Sequence, residues 1–142
     1  MSEPTDEVAV DRPEVLAQVR AVFDRYERAL VDGDIGVLGE LIWDDERTVR
    51  FGVADRQHGA AEIAAWRAKY PSVPPGRRLH RTTVLAVDDR TAVVSTLFDY
   101  PGGMGSQLAG GPVEGRQTQV WVRFTGGWRI VAAHVSEISF GP

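Results

Sequence analysis

The apolar residues of this chain change period about halfway along it. From Pro13 to Asp32 they fall at Leu16, Val19, Phe23, Tyr26 and Leu30, spacings that mark one face of an α-helix. Asp11 is placed to cap its start, Pro13 is tolerated in the first turn, and Gly33 closes the far end. Asp34 then caps a short second helix with Ile35, Leu38, Leu41 and Ile42 turned inward. "RTVRFG" alternates, with Val49 and Phe51 on its buried side and Thr48 and Arg50 on the other, and reads as a strand. "GAAEIAAWRAKY" reads as a third helix, stopped by the prolines at 71, 74 and 75.

After these prolines the pattern is β. "RLHRTTVLAVDDRTAVVSTLFDY" reads as a hairpin turning at Asp88 to Arg90, and "GRQTQVWVRFTGGWRIVAAHVSEISF" as a second turning at Gly126-Gly127. Helices followed by long antiparallel strands predict an α+β domain, with helices packed on one side of a curved sheet. A Gly126-Gly127 turn pairs Trp121 with Ala132, Gln119 with His134 and Gln117 with Ser136. Trp128, Ile130, Ala132, His134 and Ser136 then share one face, apolar at one end and polar at the other. The opposite face carries Val120, Val122, Phe124, Val131, Ala133 and Val135. Helices cover one face in so small a domain, so the other is expected to pair with a second copy, giving a homodimer through the sheet.

Composition narrows the class. A chain of 142 residues is expected to form one domain over residues 11–142, after a mobile acidic tail over 1–10. That tail lacks the basic start and apolar stretch of a secretory signal. The absence of cysteine excludes disulfides and thiolate chemistry and fits a cytoplasmic protein. Net charge is −4 and the arginines form no basic stripe, which argues against nucleic acid, and no apolar run approaches a membrane span. His58, His80 and His134 follow no metal-ligand spacing, so neither a metal nor another cofactor is expected. The Gly-rich "PGGMGSQLAGGP" does not link a strand to a helix as a phosphate loop must, and reads as a flap beside the sheet.

Arg50 is the strongest single candidate for a functional role. If it points inward it needs an anion opposite it, and the acidic residues are concentrated in turns and on helix surfaces, so a ligand carboxylate is the expected partner. No Asp or Glu falls clearly on the polar face. His134 and Ser136 admit two readings, a hydrogen-bonded pair near the sheet edge or the polar end of a pocket. Tyr26 sits on the apolar stripe of the first helix, where its hydroxyl needs a partner.

"RYERALVDGD", "TVRFG" leading into "GAAEIAAWR", and "GRQTQVWVRF" with the following "GWRIVAAHVS" resemble the NTF2-like superfamily, the cone-shaped fold of SnoaL-like cyclases and ketosteroid isomerases. More narrowly the chain is similar to the AtzH/HpxZ group, associated with oxalurate and cyanuric acid catabolism. The resemblance covers Pro13 to about Ser139. It implies that Tyr26 and Arg50 line a pocket and serve activity. It also implies that they converge there with Gln119, His134 and Ser136, with Trp43 and Trp66 as further substrate contacts and His134 ordering a water. The implied reaction is hydrolysis, with or without decarboxylation, of an amide or ureido bond in a small carboxylate. The alternatives are a cyclase or isomerase using a pocket carboxylate as base, and a non-catalytic binding subunit.

Overall fold

The computed structural model describes residues 7–101 and 113–139. Three helices, α1 (Pro13–Asp32), α2 (Ile35–Glu40) and α3 (Ala60–Lys69), accompany six strands. The strands are β1 (Val49–Phe51), β2 (Arg56–His58), β3 (Arg78–Val87), β4 (Thr91–Asp99), β5 (Val113–Phe124) and β6 (Gly127–Ser139). They form one curved sheet in the order β2-β1-β6-β5-β4-β3, antiparallel except where β1 runs parallel to β6. The fold is the expected α+β cone, with helices on the concave face. The Gly-rich segment read as a flap lies outside the described residues, as do residues 1–6. No helix among those described is long and apolar enough to cross a membrane.

α1 buries Val15, Val19, Phe23, Tyr26, Ala29 and Leu30 against the sheet, and Leu16 packs at the margin of this stripe. Gly33 ends the helix in the left-handed conformation, at φ 71°, as its position predicts. Asp11 does not cap the start. Arg12 holds the cap position, while Asp11 donates its N–H to the Ala86 carbonyl (2.9 Å) and accepts the Ala86 N–H on Oδ1 (2.8 Å). Val10 bridges Val87 and the Ala9 carbonyl accepts from Asp88 N, so the end of the expected tail runs along β3. Asp34 caps α2 by accepting from Val37 N, and Leu38, Leu41 and Ile42 are buried as predicted. Ile35 is half-exposed, because the six-residue helix turns that side to solvent.

The second hairpin departs from its expected register twice. Phe124 pairs with Gly127, so the turn is Thr125-Gly126 and lies one residue earlier than predicted. Trp121 then pairs with Ile130 and Val120 with Ala132, leaving Val131 as an unpaired bulge. Before the bulge Trp128 and Ile130 face inward and are buried. Beyond it each side chain has exchanged faces relative to unbroken alternation. Ala133 lies opposite Gln119, Val135 opposite Gln117 and Glu137 opposite Gly115, all on the concave side. His134 and Ser136 lie opposite Thr118 and Arg116 on the convex side. The predicted partnerships of Gln119 with His134 and Gln117 with Ser136 are therefore corrected. Ala133 and Val135 likewise leave the proposed dimer face.

β1 is also inverted relative to expectation. Arg50 pairs with Ala133 and Gln57 on the concave side, whereas Val49 and Phe51 share the convex side with Ala132 and His134. Phe51 is exposed, and its ring packs edge-on against His134 and His58. Thr48, the polar residue assigned outward, is fully buried because its hydroxyl donates to the Trp43 carbonyl at 2.9 Å.

Gly115 shows how closely the concave face is filled. A Cβ at this position would overlap the ring of buried Phe98, which lies directly over the glycine. Gly115→Ala should therefore destabilise the domain by about 2 kcal/mol through overpacking, read as a lower urea midpoint with unchanged slope.

Candidate functional site

Two cavities flank the C-terminal half of α1, and Tyr26 and Arg67 contribute to both. The larger, of about 720 Å³, is bounded by α1, α3, the β1–β2 turn and the concave side of β5 and β6. The smaller, of about 660 Å³, lies between α2, α3 and the tip of the β5–β6 hairpin, with mostly apolar walls such as Leu38, Ile42 and Ile63. Both are of a size that accommodates small ligands.

One end of the larger cavity is cationic. The Gly52–Asp55 turn between β1 and β2 folds the Asp55 carboxylate back over Gly52, where a Cβ would block it. Arg50 Nη1 donates to Asp55 Oδ2 (2.6 Å) and Gln57 Oε1 (3.0 Å), and Gln57 Nε2 donates to the same Asp55 oxygen (2.8 Å). The expectation that a ligand would be the counterion of Arg50 is thus corrected: Asp55 takes that place. Among the described residues only Nη1 of Arg50 is engaged, which leaves Nη2 and Nε free to meet a ligand.

Arg67 is the less compensated cation. It projects from α3 one turn after Ile63, is 9% exposed, and donates from Nη1 to the Tyr70 carbonyl at 3.3 Å. No carboxylate among the described residues forms an ion pair with it. Burial pulls its pKa below the usual arginine value; Arg50 works in the same direction, while Tyr26 and Asp55 oppose it. Two guanidiniums near enough to repel each other are thus served by one carboxylate. Trp66 lies beside them, its ring centroid 5.9 Å from Arg50 Cζ and 4.3 Å from the Tyr70 ring.

The other end contains a closed ion-pair network. Arg77 donates from Nε to Glu27 Oε1 (2.9 Å) and from Nη2 to Glu27 Oε2 (3.3 Å), both side chains being nearly buried. Gln117 accepts from Arg77 and donates to Glu27, and the Phe98 ring centroid lies 3.9 Å from Arg77 Cζ. Burial works against the Arg77 charge, but Glu27, with a contribution from Tyr100, outweighs it and holds the pKa above the usual value. Burial pushes the Tyr100 phenol up; Arg77 opposes this shift and nearby Glu137 reinforces it.

The predicted site residues divide as follows. Tyr26, Arg50, Gln119 and Trp66 line the larger cavity. Tyr26 is buried with its ring edge-on to Trp121, and Gln119 Oε1 accepts from Trp121 Nε1 at 3.0 Å. Trp43 lines the smaller cavity instead, stacked on Phe124 beneath Arg47. His134 and Ser136 do not reach either cavity, and His134 is exposed. Four charged lining residues carry no such expectation, Asp55, Arg67, Arg77 and Glu137, and neither does Glu27, which pairs with Arg77. Arg67 carried a usable signal in its spacing of four from inward-facing Ile63. Asp55 carried another, because β1 and β2 form a hairpin around a glycine turn. The inward direction of Glu137 depends on the bulge.

A family model described as AtzH-like matches residues 8–140. A cystatin-like fold protein from Burkholderia xenovorans LB400 is similar at 44% identity and TM-score 0.83, over 94% of this chain and 99% of that one. A protein of unknown function of the DUF3225 family from Pectobacterium atrosepticum matches at 43% identity and TM-score 0.82, over 98% and 100%. At 20% identity, a putative ketosteroid isomerase from Parabacteroides distasonis shares the fold, with TM-score 0.61 over 84% of this chain and 85% of that one. No curated protein matches the chain significantly.

The Arg50–Asp55 pair makes a separable stability prediction. Arg50→Met strands a largely buried carboxylate and should destabilise the domain by about 3 kcal/mol. Adding Asp55→Leu should restore most of that loss, so denaturation of the two single variants and the double variant should give strongly non-additive values.

Proposed function

The chain belongs to the AtzH-like family, and on that premise we propose that it is an enzyme hydrolysing an amide or ureido bond in a small carboxylate such as an oxalurate- or carboxyurea-like compound. The observation that carries this reading is Arg67, a buried guanidinium without a carboxylate partner among the described residues, beside a second guanidinium and lining the larger cavity. A substrate carboxylate fits that position because it relieves the repulsion between Arg67 and Arg50 and compensates the buried charge. Trp66 and Tyr70 provide an apolar wall for a flat ureido group. The Gln119 amide directs its oxygen to Trp121, so its Nε2 hydrogens are available to a substrate carbonyl.

In the proposed reaction water attacks the carbonyl carbon and the C–N bond breaks. The leaving nitrogen takes a proton from the Tyr26 hydroxyl, which regains one from the attacking water. If the acid released is a carbamic acid, it loses carbon dioxide. Ser136 is not assigned as a nucleophile, since it lies on the opposite side of the sheet. A second reading, a cyclase or isomerase, is favoured by Glu137, which supplies the pocket carboxylate that such chemistry needs as a base.

The proposed enzyme is a cytoplasmic homodimer joined through the convex sheet face. Leu85 and Phe51 are exposed there, with Val93, Val120 and Val122 only half-buried between them. Wild type should sediment as a dimer at micromolar concentration and Val122→Asp as a monomer.

Arg67→Met should lose the melting-temperature rise given by small ureido-carboxylates and lower kcat/KM for ammonia release by at least about 100-fold. Tyr26→Phe should keep the thermal shift and lose turnover. An unchanged ligand-induced shift in Arg67→Met would remove that residue from the site. Ligand binding by wild type without ammonia release, but with solvent exchange of an acidic C–H, would favour the isomerase reading.

A further inference from the structure

The smaller cavity takes no part in the proposed reaction, yet its walls are fixed independently of any ligand. Ile130 N–H donates to the Leu41 carbonyl (2.8 Å) and the Ile130 carbonyl accepts from Trp43 N (3.0 Å), so β6 holds Ile42 and Trp43 in place. Trp43 in turn stacks on Phe124, with ring centroids 5.1 Å apart. On another side α3 presents Ala60, Ala64 and Ala68 at every fourth position, around buried Ile63. Their short side chains leave the space between α3 and α2 unfilled, and Ala64 and Ala68 stay exposed to it. Ile35 of α2 lines the same space and is half-exposed, an aliphatic side chain with nothing to cover it among the described residues.

The charged residues around this cavity offer little to an ionised ligand. Glu40 is paired with Arg25. Arg129 donates from Nη1 to the Trp128 carbonyl (2.9 Å) and from Nη2 to the Gly126 carbonyl (3.0 Å). Arg67 contributes to the wall, but its guanidinium meets the Tyr70 carbonyl and interacts with Arg50 and Asp55, which line the larger cavity. Asp44 is exposed, where water screens its charge. The remaining walls include Leu38, Ile42, Ile63 and Phe124. An ion placed against them loses hydration and gains no opposite charge, whereas a neutral ring gains contact at little cost.

We propose that the smaller cavity is a second binding site, for a neutral, mostly apolar ring compound of about one or two fused rings. The ring packs between the alanine face of α3 and the Trp43–Phe124 pair and covers Ile35. Tyr26 and Arg67 line both cavities and form the partition between this site and the one assigned to the carboxylate. The two sites therefore take ligands of opposite character, an anion on one side of the partition and an uncharged apolar molecule on the other.

Calorimetric titration with indole, indole-3-acetate and tryptamine tests this, with N-carbamoylglycine as the probe of the larger cavity. Wild type should bind indole at least about tenfold more tightly than either charged analogue. Ala64→Phe fills the cavity from an exposed position and should weaken indole binding at least about tenfold, with any affinity for N-carbamoylglycine unchanged within about twofold. Ala68→Leu, exposed on the same face, serves if the Phe variant does not fold, and should weaken indole binding in the same direction. No indole binding by wild type at about 1 mM, undiminished binding by a folded filling variant, or equal affinity for the charged analogues overturns the inference. If indole binds and is lost in the filling variant while N-carbamoylglycine does not bind at all, the second site stands and only the carboxylate reading of the larger cavity fails.

Discussion

The unpaired residue Val131 decides which side chains of β6 meet the helices. Strand alternation alone would carry the inward direction of Trp128 and Ile130 on to Ala132, His134 and Ser136. The bulge transfers it to Ala133, Val135 and Glu137. Small or aliphatic side chains at 133 and 135 leave room between the sheet and α1, where an imidazole would partly fill it. The same step places Glu137 opposite Gly115, whose missing side chain admits the Phe98 ring and with it the stack on Arg77. The cavity's volume and the charge at one of its ends thus follow from a single extra residue in one strand.

Ionisable groups in such a place do little for stability. A desolvated ion pair returns roughly what its burial costs, so the Arg77–Glu27 and Arg50–Asp55 pairs are near neutral in net terms. The fold is held by the apolar contacts of α1, α2 and β4–β6. What the pairs supply is fixed geometry. Asp55 and Gln57 pin one nitrogen of Arg50, and Glu27 with Gln117 holds Arg77 against Phe98; neither guanidinium forms an ion pair with Glu137. Arg67 and Glu137 are left without an ion-pair partner among the described residues.

Sequence periodicity was sufficient for the helices, both long hairpins and the fold, because each rests on a run of ten or so residues with an apolar face. It failed where the two faces of a strand look alike. Ile130, Val131 and Ala132 are all apolar, so nothing in their order reveals that the middle one is unpaired. Every face assigned beyond them was therefore inverted, and His134 and Ser136 were placed in the pocket. Val49 and Phe51 misled in the same way: they are apolar but lie on the convex side, while Thr48 is buried because one backbone carbonyl satisfies its hydroxyl. Tyr26 and Arg50, which the resemblance brings together, both line the larger cavity. Arg67 and Glu27 read as solvent-facing, since a charged residue on an amphipathic helix is ordinarily solvated.

α1 ties these parts together. Tyr26 and Glu27 are consecutive, about 100° apart around the helix, so one meets Arg67 and Trp121 while the other meets Arg77 and Gln117. Both ends of the cavity are therefore referred to one rigid element. That element is itself fixed from the first half of β6, where Trp128 Nε1 donates to Gln18 Oε1 at 2.9 Å on the α1 side of the sheet. β6 thus anchors the helix with the residues before its bulge and lines the cavity with those after it. A displacement of α1 would move Tyr26 and Glu27, and with them the contacts to Arg67 and Arg77, together.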